Sequence, residues 1–258
     1  MTSLDDDVVV VPAPLTERQG KGLGPTLASM ARTLDISVRF LQKSLVGHAS
    51  VELADDLLAG WAHDIFRYGR ATLKARGLEH IHSDTSYVVM SNHGSLIDVP
   101  ALLGTYPKTL RMVTKEELTR VPIWGRAMRA SGFIPIDRKN RARAIEQLEL
   151  AKQRLSEGTS VWIAPEGTRA ERASLGPFRK GGFHLAQQLE VPILPAYVDG
   201  AATMLPNGAV RLRYGVTVSV TYGAPLAPSG DIAGQMARVR AAILELAAGR
   251  LVDGAAPR

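Results

Sequence analysis

The chain has 258 residues, 45% of them hydrophobic and 22% charged, enough apolar material for one large domain with an appendage and incompatible with a disordered or collagen-like polymer. It contains no cysteine, which excludes a disulfide framework, a thiolate zinc site and any intermediate stored on a thiol. Lys and Arg number 31 against 25 Asp and Glu, a formal charge of +6, so the field of the molecule attracts anions such as nucleic acid, anionic lipid or phosphorylated metabolites.

Residues 1–25 combine an acidic start (Asp5, Asp6, Asp7) with prolines and Gly20, Gly22 and Gly24, and read as a flexible arm without a packing period. The start lacks the basic region and longer apolar stretch of a secretory signal, so export is not expected. From Leu27 the apolar residues Met30, Leu34, Val38, Leu41 and Leu45 recur in steps of three and four, predicting a helix over 26–47. A second stripe, Leu53, Leu57, Trp61, Ile65 and Tyr68, is expected to continue to Arg76 with Gly77 as its C-cap, making 26–80 a helical hairpin. The stripes pack on the core or lie on a membrane surface. No run of about 18 apolar residues occurs, so membrane contact is expected to be lateral.

Beyond Gly77 short β-rich runs at 87–90, 110–113, 133–136, 160–163 and 192–198 alternate with helical stretches, the longest at 141–155. Two alternating runs, Val210, Leu212, Tyr214 and Val216, Val218, Val220, Tyr222, flank a bend at Gly215 and read as antiparallel or edge strands. A last amphipathic helix carries Ile232, Met236, Val239, Ile243 and Leu246 before a polar tail from Gly249. The fold class is α/β: one mixed-sheet domain over 81–250, flanked by helices, preceded by the hairpin and followed by a tail at 251–258.

Three strand ends carry chemistry. The first is Ser91-Asn92-His93-Gly94-Ser95-Leu96-Ile97-Asp98. If a helix starts near Gly94 or Ser95, the Asp98 carboxylate reaches back to the His93 imidazole, fixing its tautomer so that it can take a proton from an alcohol. Taken alone, the pair reads first as a strand-end turn with a solvent-facing acid, and the context of the other blocks changes that weighting. A metal role for His93 lacks the His-Glu-x-x-His pattern, and no metal is expected. The second run, Gly132 to Arg138, delivers a guanidinium suited to phosphate or, with Lys139, Arg141 and Arg143, a solvated basic face. In the third, Pro165-Glu166-Gly167-Thr168-Arg169, Glu166 suits a polyol, Gly167 permits an unusual φ or a close backbone approach, and Arg169 suits an anion; the alternative is an ordinary turn with a salt bridge. Dinucleotide, P-loop and nucleophile-elbow patterns are absent.

These blocks, followed by Val191-Pro192-Ile193-Leu194-Pro195, resemble in order and spacing the four motif blocks of the glycerolipid acyltransferases, and the chain looks like a member of the 1-acylglycerol-3-phosphate O-acyltransferase family. Lys115, Pro122, Gly125 and Gly132 match the usual lead-in to the second block, so the resemblance covers about residues 85–225. It departs at Gly94, Ala164 and Ala170, where the family commonly has Gln, Phe and Ser. The resemblance implies an acyltransferase-like mixed sheet, His93 as general base and Asp98 as its support, with Asn92, Ser95 and Lys115 assisting. It implies that Arg138, Glu166, Gly167, Thr168 and Arg169 hold the acceptor's glycerol phosphate, and links Pro192 and Pro195 to the acyl donor and packing.

The implied reaction moves a fatty acyl group from acyl-CoA or acyl carrier protein to a lysophospholipid hydroxyl, directly and without a cofactor. The expected setting is peripheral, on an anionic membrane surface at the cytoplasmic face, with no nucleic-acid partner. Rival readings are another lysolipid or glycerol phosphate acceptor, acyl-CoA hydrolysis, and a non-catalytic lipid- or acyl-CoA-binding module.

Overall fold

A computed structural model describes residues 20–137, 140–169 and 175–252. Most of the arm expected over 1–25 and the end of the tail lie outside these residues. The last residues of the arm are ordered elements: strand β1 (Gly20–Lys21) and the start of helix α1 (Leu23–Leu45).

Helix α2 (Val51–Tyr68) begins at Ser50, whose hydroxyl accepts from the Leu53 N–H at 3.1 Å. It stops well before Arg76. Arg70 adopts φ 44°, and Thr72–Arg76 forms strand β2 with Leu73 and Ala75 buried and Lys74 and Arg76 pointing the other way. A period of two thus overrides the extrapolated helical stripe, and the hairpin expected to reach residue 80 gives up β2 to the sheet. Gly77 is no helix cap either: it sits at φ 75°, where an added Cβ would stand 2.0 Å from the Tyr222 carbonyl oxygen. Glycine is required there for close approach of two backbones.

The remaining elements are β3 (Val88–Ser91), α3 (Asp98–Thr105), β4 (Leu110–Lys115), α4 (Trp124–Ala130), β5 (Ile134–Ile136), α5 (Arg141–Ser156), β6 (Ser160–Trp162), α6 (Gly181–Gln188), β7 (Ile193–Asp199), α7 (Ala201–Met204), β8 (Arg213–Tyr214), β9 (Thr217–Tyr222) and α8 (Ile232–Val252). Helix α8 runs through Gly249, where the tail was expected to begin.

Seven strands form one sheet in the order β2-β9-β7-β3-β6-β4-β5. Neighbours are parallel except β7 and β9, so the sheet is mixed as expected. Strand β9 is antiparallel to β7 but lies inside the sheet, covered by β2, whereas β8 pairs with β1 in a separate two-stranded ribbon. Alternation along the strands divides the core. Tyr87, Val89, Met112 and Trp162 face α2 and α3, while Val88, Met90, Val161 and Ile193 face α5, α6 and α8. The connection after β3 therefore leaves to one face through α3, and that after its neighbour β6 leaves to the other through α6. Such divergence opens a crevice at the carboxyl ends of the two strands, the place where ligands bind in α/β sheets.

Helix α1 wears its polarity inside out. It buries Thr26, Ser29, Ile36, Ser37 and Phe40, while Leu23, Leu27, Met30 and Leu34 are 51–63% exposed. Polar bonds hold it to α2: Trp61 Nε1 donates to Thr33 Oγ1 at 2.9 Å, and Arg32 pairs with Asp64 at 2.7 Å. The apolar stripe expected to pack or to meet a membrane is thus not used for packing along this part of α1.

Candidate active site

Strand β3 ends at Ser91, and residues 92–97 wrap around one carboxylate. Asp98 Oδ2 lies 2.7 Å from His93 Nδ1 and accepts from the backbone N–H groups of Gly94 at 2.8 Å and Ser95 at 2.9 Å. Helix α3 starts at Asp98 itself rather than near Gly94, so the His93–Asp98 contact arises from a loop folded on the acid and not from a helical turn. The Asp98 side chain is 2% exposed and that of His93 14%, so the pair is shielded from water while the imidazole keeps an outlet. An ionised carboxylate only accepts, so Nδ1 carries the ring proton and Nε2 the lone pair. That is the tautomer a general base needs.

The surroundings hold this loop in place. The Asn92 side chain donates to the Val198 carbonyl and accepts from the Val198 N–H, both at 2.8 Å, extending the β3–β7 ladder past the strand end. Ser95 is buried; its hydroxyl donates to the Leu205 carbonyl at 2.7 Å and accepts from the Ile97 N–H at 3.1 Å. Trp162, from β6, stands edge-on to the His93 ring with centroids 5.2 Å apart, and its Nε1 donates to Ser91 Oγ at 3.0 Å. Sequence reading placed Trp162 in the β-rich run 160–163 without giving it a part in the site. The available signal was its strand end, three residues before Pro165.

The third block arrives from β6 across the crevice. Glu166 is buried, and its Oε1 accepts from the His93 backbone N–H at 3.3 Å. Its Oε2 accepts from Gly176 N–H at 2.7 Å. Gly167 adopts φ 74°, the left-handed conformation that favours glycine, and a Cβ there would stand 3.2 Å from Arg179 Cγ. Thr168 is exposed and Arg169 half-buried. Thus His93, Asp98, Asn92, Ser95 and Glu166 come together, with Gly167, Thr168 and Arg169 following on the same loop.

The remaining expected residues stand apart from this group or are not described. Arg138 lies outside the described residues. Lys115 is at the carboxyl end of β4, two strands from β3, half exposed and ion-paired with Glu117 at 3.4 Å. Pro195 sits within β7 in register with Met90, and the Pro192 carbonyl accepts from the Val88 N–H at 3.1 Å, which places both prolines along the β3–β7 pairing. Among the described residues, no group of three or more His, Asp or Glu is gathered to hold a metal ion.

The acyltransferase family model matches residues 72–199, from β2 to the end of β7. The chain is 38% identical over 134 residues to mouse 1-acyl-sn-glycerol-3-phosphate acyltransferase alpha, covering 52% of this chain and 47% of that protein. It is 30% identical over 190 residues to the chloroplastic 1-acyl-sn-glycerol-3-phosphate acyltransferase LPAT1 of Arabidopsis thaliana, covering 70% of this chain and 53% of that protein. The chain thus spans about half the length of the curated relatives it matches. Among solved structures, PlsC, the 1-acyl-sn-glycerophosphate acyltransferase of Thermotoga maritima, superposes with a TM-score of 0.69 at 20% identity, covering 89% of this chain and 100% of that one, a likeness of fold.

Proposed function

Because the chain belongs to the acyltransferase family, we propose that it transfers a fatty acyl group from an acyl thioester to the free hydroxyl of a lysophospholipid, with 1-acylglycerol-3-phosphate as the acceptor and phosphatidic acid as the product. The observation that carries the reading is the 2.7 Å contact between His93 Nδ1 and a buried Asp98, which leaves Nε2 to act as the base. The acceptor hydroxyl attacks the thioester carbonyl as His93 Nε2 takes its proton. The C–S bond then breaks and the departing thiolate recovers that proton from His93. A thiolate is a good leaving group, so direct transfer needs no enzyme-bound acyl group and no cofactor. Arg169, on the loop that carries Glu166, and Arg138, as the resemblance implies, supply positive charge for the acceptor's phosphate.

Both substrates are amphiphiles, and the exposed α1 residues Leu23, Leu27, Met30 and Leu34 supply an apolar face for lateral docking. No helix among the described residues is long and apolar enough to cross a membrane. Docking on the anionic cytoplasmic face suits the net charge of +6.

The test is a matrix of donors (acyl-CoA, acyl carrier protein thioester) against acceptors (lysophosphatidate, other lysolipids, glycerol 3-phosphate, water) with purified protein. Transfer to lysophosphatidate, reduced about 10²- to 10⁴-fold in His93→Ala, is the expected result. Thioester cleavage independent of any lipid acceptor, or full turnover by His93→Ala, refutes the proposal.

A further inference from the structure

The family resemblance gives Glu166 to the acceptor's glycerol, but the contacts of this side chain suit another task. It is 5% exposed, and each carboxylate oxygen is engaged by a backbone donor: Oε1 by the His93 N–H at 3.3 Å and Oε2 by the Gly176 N–H at 2.7 Å. The approach is close: a Cβ at position 176 would stand 3.0 Å from Oε2. The segment holding Gly176 is itself fastened from outside the crevice. Arg240, on α8, donates to the carbonyls of Leu175 at 2.6 Å and Gly176 at 2.7 Å, and its guanidinium lies 5.5 Å from the Phe178 ring centroid.

We propose that Glu166 is a positioning residue that clamps the backbone of the catalytic histidine, and that Arg240 steadies the clamp from α8. The inference rests on His93 being the base. Two carboxylates then divide the work of aiming it: Asp98 sets the ring through Nδ1, and Glu166 sets the main chain that carries the ring. Both carboxylate oxygens are turned to backbone donors in a buried setting, so the clamp leaves recognition of the acceptor to the more exposed Thr168 and Arg169. Arg240 lies outside the 72–199 stretch matched by the family model, so this support comes from a part of the chain that the shared motifs do not include.

Steady-state kinetics with lysophosphatidate and acyl-CoA test the clamp. In Glu166→Gln, one oxygen remains to accept and an NH2 group faces the other N–H. The expected result is a fall in kcat of about 10²-fold, the penalty for a misplaced base, with acceptor KM within roughly twofold of wild type. Arg240→Gln, remote from the reacting atoms, should lower kcat with acceptor KM unchanged, to a smaller extent. A rise in acceptor KM at unchanged kcat in Glu166→Gln makes Glu166 an acceptor ligand and overturns the proposal. Wild-type kinetics in Arg240→Gln overturn the role of α8.

Amide hydrogen exchange on the wild-type protein gives a reading should Glu166→Gln not fold: slow exchange at His93 and Gly176 is expected, and fast exchange at either refutes the clamp. Absence of transfer by the wild type to any acceptor would instead refute the catalytic reading on which the proposal rests, an outcome the exchange measurement keeps separate.

Discussion

The proposed mechanism gives Asp98 two tasks that substitution can separate. Its Oδ2 meets the His93 ring and two loop N–H groups, and an amide oxygen in the same place still accepts from Gly94 and Ser95. Asp98→Asn should therefore keep the loop and lose the charge that stabilises a protonated imidazole, lowering kcat by about 10²- to 10⁴-fold with little change in melting temperature. Asp98→Ala should lose both, since three donors are left without their acceptor; thermal melting alongside kinetics distinguishes the variants. The pair was legible through its context, because a His at a strand end and an Asp five residues on also suit a plain turn with a solvent-facing acid, and it was the order of the other motif blocks that favoured contact. How the pair forms was not legible: backbone donors from a non-helical loop carry no side-chain signature. The same blindness covers Glu166, whose partners are main-chain groups of His93 and Gly176. It covers Trp162 too, which reaches the site through strand pairing between β6 and β3.

At the level of elements, α1 separates stability from docking. Its core contacts run through Ile36 and Phe40, 8% and 4% exposed, whereas Leu27 and Leu34 are 55% and 51% exposed. Phe40→Ala should cost about 3–5 kcal/mol by denaturant titration, the usual cost of a large buried ring. The double variant Leu27→Glu, Leu34→Glu should change stability by less than about 1 kcal/mol, at roughly 0.5 kcal/mol per surface site, while abolishing co-sedimentation with anionic vesicles. Wild-type vesicle binding should weaken between about 0.1 M and 1 M salt as screening shortens the reach of its charge. A period of 3.6 announced this helix correctly, but periodicity reports that a stripe exists and not which medium it faces. Nor did the second stripe say where to stop: Tyr68 ends α2, and the strand that follows has too few apolar residues to mark a change of period unaided.

Across the whole molecule, the hairpin is pinned to the sheet by an ion pair between a buried Arg and a partly exposed Asp. Arg111 of β4, whose side chain is 4% exposed, pairs with Asp55 of α2, which also accepts from Thr109 Oγ1 at 2.5 Å. Asp55→Ala removes the carboxylate partner of the buried Arg111 guanidinium, which keeps its bond to the Leu110 carbonyl, and should destabilise the protein by about 1–3 kcal/mol, read by denaturant unfolding; an Asp55→Ala chain as stable as wild type would show the pair to be idle. On the other flank, Tyr106 donates to Ser160 Oγ at 2.8 Å and Tyr222 meets Thr105 Oγ1 at 2.9 Å. Burial pushes both phenols above the ordinary tyrosine range, so they stay protonated and hold these bonds at any working pH.

The order β2-β9-β7 also has a consequence in time. Thr72 pairs with Thr217 and Arg76 with Thr221, so a strand made early on the ribosome stays bare until one made late emerges. At cellular elongation speeds this wait is on the order of ten seconds. Under the docking proposed for α1, its exposed leucines are made before this wait begins, so a lipid surface would meet the growing chain before its last strand closes the sheet.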